Sequence, residues 1–117
     1  MTMRETDYEG AVPVDGYGPG FFRVGGQIIR GPVIVTAGGA QGWGGLHDTA
    51  ALTALSGRVD VLFLGLGADM AHPPAGLLEA LDAAGVRCEP MASPTAARSY
   101  NVTLAEGRRV ACALIPV

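Results

Sequence analysis

The sequence predicts a single α/β domain with a largely parallel sheet. From Pro32 onward, short apolar strands alternate with helical segments, which is typical of βαβ units. The 117 residues suffice for one hydrophobic core but not for two. Phe21–Val24 and Gln27–Arg30 flank Gly25-Gly26, which can adopt the positive φ angles of a tight turn. The sequence therefore also predicts a β-hairpin ahead of the α/β units.

The remaining elements are expected between residues 33 and 115. Strands are predicted at residues 33–36, 59–64, 86–91 and 110–115. Helices are predicted at about 49–55 with Asp48 as N-cap, after Pro73-Pro74, and at 93–105 with Ser93 as N-cap and Pro94 at the first helical position. Residues 12–20 and 37–45 are rich in glycine, so turns and a loop are expected there.

Composition and charge exclude several classes of function. The net charge is −3 and the eight basic residues are scattered arginines, so no basic stripe is available for a nucleic acid. The apolar run at residues 61–68 is far shorter than the roughly 20 residues of a membrane helix, so no membrane span is expected. Residues 1–11 form a charged, flexible leader without the features of a secretory signal. We therefore expect a cytoplasmic protein whose domain covers residues 12–117.

Cys88 and Cys112 each lie in a predicted strand. A disulfide could form if those strands pair, but two buried free thiols are the preferred interpretation in a reducing compartment. Neither cysteine belongs to a redox or zinc motif.

Three connections leave the carboxyl ends of predicted strands, at residues 37–45, 65–68 and 92–93. In a parallel sheet they would meet at one edge, where open α/β sheets bind ligands. That edge is the candidate site. Gly65-Leu66-Gly67 has part of a dinucleotide fingerprint, but Met70 occupies the position of the third small residue, which favours a plain tight turn.

The helix that opens at Ser93 could attract an anion to its free backbone N–H groups. Arg98 and Asn101 lie one turn apart, so a guanidinium and an amide could address the same group. The alternative is that Arg98 pairs with a carboxylate such as Asp69 while Asn101 ties down a neighbouring loop. The sequence leaves both interpretations open.

No catalytic constellation or metal site is expected. His72 precedes two prolines and must be extended, so it need not share a face with Asp69, and both His47 and His72 are interpreted as solvated loop residues. No Ser-His-Asp or Cys-His arrangement is recognisable. Trp43 stands alone among glycines, and it is either a lid on the sheet edge or an aromatic contact for a partner.

Two longer motifs, at residues 15–23 and 93–101, are more specific than these local patterns. Together with Gly65-Leu66-Gly67 and residues 106–109, they resemble the small Mth-type domain family. That family includes uncharacterised bacterial and archaeal proteins, a mitochondrial assembly factor for respiratory complex I and an adipogenesis-associated animal protein. The resemblance implies a three-layer α/β fold with a central, mostly parallel sheet, flanking helices and an added hairpin. It implies no established reaction and no cofactor.

The resemblance also implies a shared patch of unknown purpose, formed by Gly65, Gly67, Arg98, Tyr100 and Asn101. Three hypotheses follow. The first is a non-catalytic assembly helper that binds a protein partner through an exposed apolar patch around the hairpin or Trp43. The second is a binder of a small anionic metabolite, an enzyme among the options, between the Gly65 loop and the Arg98 helix. The third gives the Arg98 patch a purely structural role.

Overall fold

The computed structural model describes residues 10–69 and 71–117. Of the leader predicted at residues 1–11, residues 1–9 lie outside this described part. The described residues form two sheets and three helices. In chain order the elements are β1 (Val14–Gly18), β2 (Phe21–Val24), β3 (Gln27–Arg30), β4 (Val33–Thr36), β5 (Gly39–Gly42), α1 (Thr49–Thr53), β6 (Val61–Gly65), α2 (Leu77–Ala83), β7 (Cys88–Met91), α3 (Ser93–Ala105) and β8 (Val110–Leu114).

The first sheet is antiparallel and has the strand order β1-β2-β3. The predicted hairpin is confirmed, because β2 and β3 are joined by Gly25 and Gly26 with φ angles of 56° and 84°. Turns were predicted over residues 12–20, and this prediction was wrong for residues 14–18, which form strand β1. This strand pairs with β2 despite its glycines because Val14, Phe22 and Val24 share a buried face.

The second sheet has the strand order β5-β4-β8-β6-β7. It is mixed, since β6 pairs parallel with β7 and β8, whereas β4 pairs antiparallel with β8 and β5. The predicted mostly parallel sheet is therefore corrected. Only Ala37 and Gly38 separate β4 from β5, and so short a connection requires antiparallel strands. The loop expected at residues 37–45 contains β5, whose Gly-Ala-Gln-Gly sequence has no β-branched residue to indicate a strand.

Both faces of this five-stranded sheet are covered. Val33 and Val35 pack on one face with α3 and the first sheet, while Ile34 packs on the other face with the helices α1 and α2. The same alternation divides β8, where Cys112 faces α3 and Ala113 faces the opposite layer. Strands buried on both faces explain the uninterrupted apolar runs in the sequence.

The helices begin near their predicted residues. Asp48 caps α1 as predicted, with its carboxylate accepting a hydrogen bond from the Ala51 amide at 3.4 Å. The predicted cap of α3 was wrong, because Ala92 is the N-cap and Ser93 is already helical. Within the described residues, no helix is long and apolar enough to cross a membrane.

The two cysteines are free thiols. Strand β6 lies between them, with Leu62 opposite Cys88 and Phe63 opposite Cys112. Two strand spacings place their Cα atoms about 10 Å apart, beyond the reach of a disulfide. Burial raises the pKa of the Cys88 thiol to about 11, with a smaller effect from the charge of Glu89. Complete burial raises the pKa of Cys112 further.

Because both thiols have folded-state pKa values above that of an unfolded thiol, the unfolded chain releases these protons first as the pH rises. The free energy of unfolding should therefore fall above about pH 8.5, with about 2 kcal/mol lost by pH 10 through Cys112 alone. Urea unfolding at pH 7 and pH 10 measures this loss. The Cys112→Ala variant should lose less stability than the wild type over the same interval, and an equal loss would contradict the assignment.

Candidate functional site

Two of the three connections expected at one sheet edge do meet there. Strands β6 and β7 are parallel, and the Leu66 amide donates a hydrogen bond to the Met91 carbonyl at 2.8 Å. The third connection does not join them. Because β4 runs antiparallel to β8, Ala37 lies at the opposite end of the sheet, where its carbonyl accepts from the Val12 amide at 3.1 Å.

Ser93 links the sheet edge to the start of α3. Its backbone amide donates to the Gly67 carbonyl at 2.7 Å. Its hydroxyl accepts from the Gly67 amide at 2.9 Å and donates to the Ile115 carbonyl at 2.6 Å. Ser93 is completely buried. The hydroxyl is therefore occupied by two distant segments, which explains why it does not cap the helix and why it is not available to an anion.

Gly65 and Gly67 allow this junction to form. A Cβ atom on Gly65 would lie 2.7 Å from the Cα and Oγ atoms of Ser93, and 2.9 Å from a methyl carbon of Leu114. Gly67 has a φ of +106°, a conformation that L-residues with side chains rarely adopt. Its backbone can therefore present both its N–H and its C=O to Ser93. In this structure the two glycines serve the packing of α3 on the sheet.

Tyr100 and Asn101 hold the beginning of the first sheet against α3. The buried Tyr100 hydroxyl donates to the Val12 carbonyl at 2.8 Å. The Asn101 side chain donates to the Val14 carbonyl at 2.8 Å and accepts from the Val14 amide at 2.9 Å. This amide thus pairs with β1 much as a neighbouring strand would. One of the two interpretations of the sequence was that Asn101 ties down a neighbouring loop. Asn101 does hold a neighbouring segment, but that segment is strand β1.

Arg98 lies on the exposed side of α3. It forms no hydrogen bond or ion pair with another described residue, so the suggested pairing with Asp69 is not present. Asn101 cannot share a ligand with it, since that amide is occupied by Val14. The exposed stripe of α3 has helical spacing and comprises Thr95, Arg98, Val102 and Ala105. Val102 is 57% exposed, so an arginine without a partner among the described residues lies one turn from an exposed apolar side chain.

Trp43 is part of the hydrophobic core, with only 6% of its surface exposed. It packs with the α1 and α2 face of the five-stranded sheet, and its indole N–H donates to the Asp48 carbonyl at 3.1 Å. It therefore presents no aromatic surface to a partner. Apolar side chains are exposed near the hairpin, where Tyr17 is 51% and Ile28 is 46% exposed.

The histidines are not gathered into a site. Within residues 10–69 and 71–117, no group of three or more His, Cys, Asp or Glu side chains is placed to hold a metal ion. His72 is exposed and lines a largely apolar cleft of about 510 Å³ with Pro73, Leu78 and Pro90. Among the described residues that line the cleft, no second polar side chain is present to orient a substrate.

Residues 14–115 match the model of a family described as a protein of unknown function, DUF498/DUF598. The chain belongs to this family. It is 54% identical to an uncharacterised protein of Rhodobacter capsulatus, over the whole chain and 94% of that protein. It is 28% identical to NADH dehydrogenase [ubiquinone] 1 alpha subcomplex assembly factor 3 of Danio rerio, over 99% of the chain and 71% of that protein. The homologous assembly factor of Drosophila melanogaster is also 28% identical, and the chain spans 64% of its length.

Solved structures of other proteins have the same fold. A crystal structure described as an outer membrane protein of Bartonella henselae has a TM-score of 0.81 and 31% identity, covering 95% of this chain and 99% of that one. A Mth938-like domain of Bordetella pertussis has a TM-score of 0.78 and 24% identity, covering 99% and 92%. The resemblance to the Mth-type family is therefore confirmed, including its link to complex I assembly factors.

Substitution of Gly65 by alanine should lower the free energy of unfolding by about 1–3 kcal/mol, because the added methyl group overlaps the backbone of Ser93. The matched control is Gly16→Ala on β1, where an added Cβ meets no atom within 4 Å. We expect that control to stay within about 0.5 kcal/mol of the wild type in urea unfolding. Equal stability of the two variants would contradict the role assigned to Gly65.

Substitution of Asn101 by alanine should also cost about 1–3 kcal/mol, because it leaves both backbone groups of Val14 without their side-chain partner. Hydrogen exchange at the Val14 amide should become faster. Val102→Ala, on the exposed face of the same helix, is the control and should leave both measurements nearly unchanged. If the exchange rate at Val14 stayed the same in Asn101→Ala, the link between α3 and β1 would be wrong.

Proposed function

We propose that the protein is a non-catalytic assembly helper that binds a protein partner through the outer face of α3, around Arg98 and Val102. One observation carries this proposal. In the 93–101 motif, Ser93, Tyr100 and Asn101 direct their polar groups into the fold, whereas Arg98 has no partner among the described residues. Among the described residues, none competes with an external group for the charge of Arg98.

The chemistry of this face suits a protein contact. A guanidinium presents a planar fork of donors that matches a carboxylate, and arginine is enriched at protein interfaces. Val102 adds exposed apolar surface one turn along the helix. Both side chains stand on a regular helix that packs against β6 and β8, so a partner would meet them in a fixed arrangement.

The relatives support the same class of function. The proteins of Danio rerio and Drosophila melanogaster are named as assembly factors of NADH dehydrogenase, and an assembly factor acts by binding other proteins. At 28% identity, this likeness supports partner binding during assembly as the general role for this chain. It does not identify the partner.

A small anionic metabolite between the Gly65 loop and α3 has less support. The amide and hydroxyl of Ser93 are both bonded to Gly67, and the hydroxyl also donates to Ile115. Arg98 is exposed and forms no hydrogen bond or ion pair with the residues of that junction. Neither the Ser93 backbone amide nor the Arg98 guanidinium, the groups that the sequence suggested, is therefore placed to hold an anion at this junction.

The proposal is tested by affinity purification of the tagged protein from its native host, followed by mass spectrometry. The Arg98→Glu/Val102→Asp variant should lose proteins that the wild type retains, with an unchanged melting temperature because both side chains are exposed. Arg58→Glu is the control, since Arg58 is an exposed arginine outside α3. This control should retain the same proteins as the wild type.

Two outcomes would contradict the proposal. If the α3 variant retained the same proteins as the wild type, the outer face of α3 would not be the contact. If instead an anionic metabolite raised the melting temperature of the wild type progressively with the logarithm of its concentration, and Arg98→Ala abolished that rise, metabolite binding would replace partner binding as the function of Arg98.

A further inference from the structure

The outer face of the three-stranded sheet is open to solvent. Residues directly opposite each other on neighbouring strands project from the same face, and the register defines two rows across the sheet. These rows are Gly16, Arg23 and Ile28, and next to them Gly18, Phe21 and Arg30. Arg23, Ile28 and Arg30 are all exposed, whereas Phe22 and Val24 on the opposite face are buried in the core.

This outer face carries positive charge that the described residues do not neutralise. Neither Arg23 nor Arg30 forms an ion pair within residues 10–69 and 71–117. The Arg30 guanidinium carbon lies 5.9 Å from the centroid of the Phe21 ring, which holds the cation over the sheet. Asp15 on β1 directs its carboxylate to the Gly26 amide at 2.6 Å instead. The face therefore combines two cations with the exposed side chain of Ile28 in a chain of net charge −3.

Strand β3 also presents an open backbone edge, because it is the outer strand of this sheet. The two-residue loop makes Val24 and Gln27 a hydrogen-bonded pair, so the next pair, Arg23 and Ile28, is not hydrogen-bonded. The N–H and C=O groups of Ile28 therefore point away from β2. In the described part of the chain, no hydrogen bond occupies them.

We propose that the edge of β3 and the adjoining outer face bind an extended, acidic segment of a partner protein as an added strand. The backbone of the segment pairs with Ile28, its carboxylates pair with Arg23 and Arg30, and an apolar residue of the segment covers the Ile28 side chain. A second copy of this chain fits less well, because it brings the same two arginines against this face and like charges repel. The surface is separate from the outer face of α3, and its occupation does not depend on the function proposed for Arg98.

The test uses NMR of the isotope-labelled full chain, titrated with a short capped peptide in which glutamate alternates with valine. The backbone amides of Ile28 and Arg30 should shift, and the Ile28 amide should gain protection from hydrogen exchange. A peptide in which lysine replaces glutamate should produce no such shifts. Arg23→Glu/Arg30→Glu should weaken binding of the acidic peptide at least about fivefold, whereas Arg58→Glu/Arg108→Glu, with the same net charge, should bind as the wild type does.

Several results would overturn this proposal. Absence of shifts at Ile28 and Arg30, or equal binding of the lysine peptide, excludes an acidic strand at this edge. Unchanged affinity in Arg23→Glu/Arg30→Glu does the same, provided that cross-strand NMR contacts between β2 and β3 show that the hairpin is intact. Self-association that this variant alters would assign the edge to a second copy. Binding that occurs only after Glu5, Asp7 and Glu9 are neutralised would assign it to the leader of this chain.

Discussion

The rest of the structure depends on the junction between Ser93 and Gly67. The Ser93 hydroxyl accepts from Gly67 and donates to Ile115, so one buried group joins the end of β6, the start of α3 and the residue after β8. Such bonds are strengthened inside a protein, where the local dielectric is low, and leaving either partner unpaired there is costly. The absence of a side chain at Gly65 lets the first turn of α3 approach the sheet closely enough for these bonds to form.

Helix α3, whose first residue is held by this junction, in turn positions the three-stranded sheet. Tyr100 and Asn101 lie two turns further along the helix and bond to Val12 and Val14, at the point where the chain enters β1. Phe22 and Val24 then pack in the same core as Tyr100 and Leu104. Among the described residues, no buried side-chain nitrogen or oxygen lacks a hydrogen-bond partner. The inner face of α3 is therefore committed to the fold, and the outer surfaces are where recognition can take place.

Local patterns predicted the elements that local chemistry determines. Gly25-Gly26 requires positive φ angles and specifies the hairpin, and Pro94 fits the first turn of α3, so both elements are found where the sequence placed them. Two errors have different physical causes. The hydroxyl of Ser93 bonds to Ile115, 22 residues away, instead of capping its own helix. Strand β5 consists of glycine, alanine and glutamine, so its pairing with β4 could not be recognised from side-chain propensity.

At the site, the sequence correctly singled out the 93–101 motif, which organises α3. Only the burial of each side chain shows that Arg98 is exposed while its neighbours in the motif support the fold, and that Trp43 belongs to the core.

The same packing has a consequence for any partner that contacts both proposed surfaces. The outer face of α3 and the outer face of the three-stranded sheet belong to different elements, yet Tyr100 and Asn101 connect them through β1. A partner that contacts both surfaces therefore meets a single packed unit and loses little free energy in ordering it. It also follows that weakening the Asn101 bonds could reduce binding without removing a contact residue, because β1 would no longer hold the sheet at a fixed distance from α3. Loss of binding in an Asn101 variant would thus show that the partner needs the two surfaces at a fixed separation. Loss of binding at unchanged stability in an Arg98 variant would show that the partner contacts Arg98 itself.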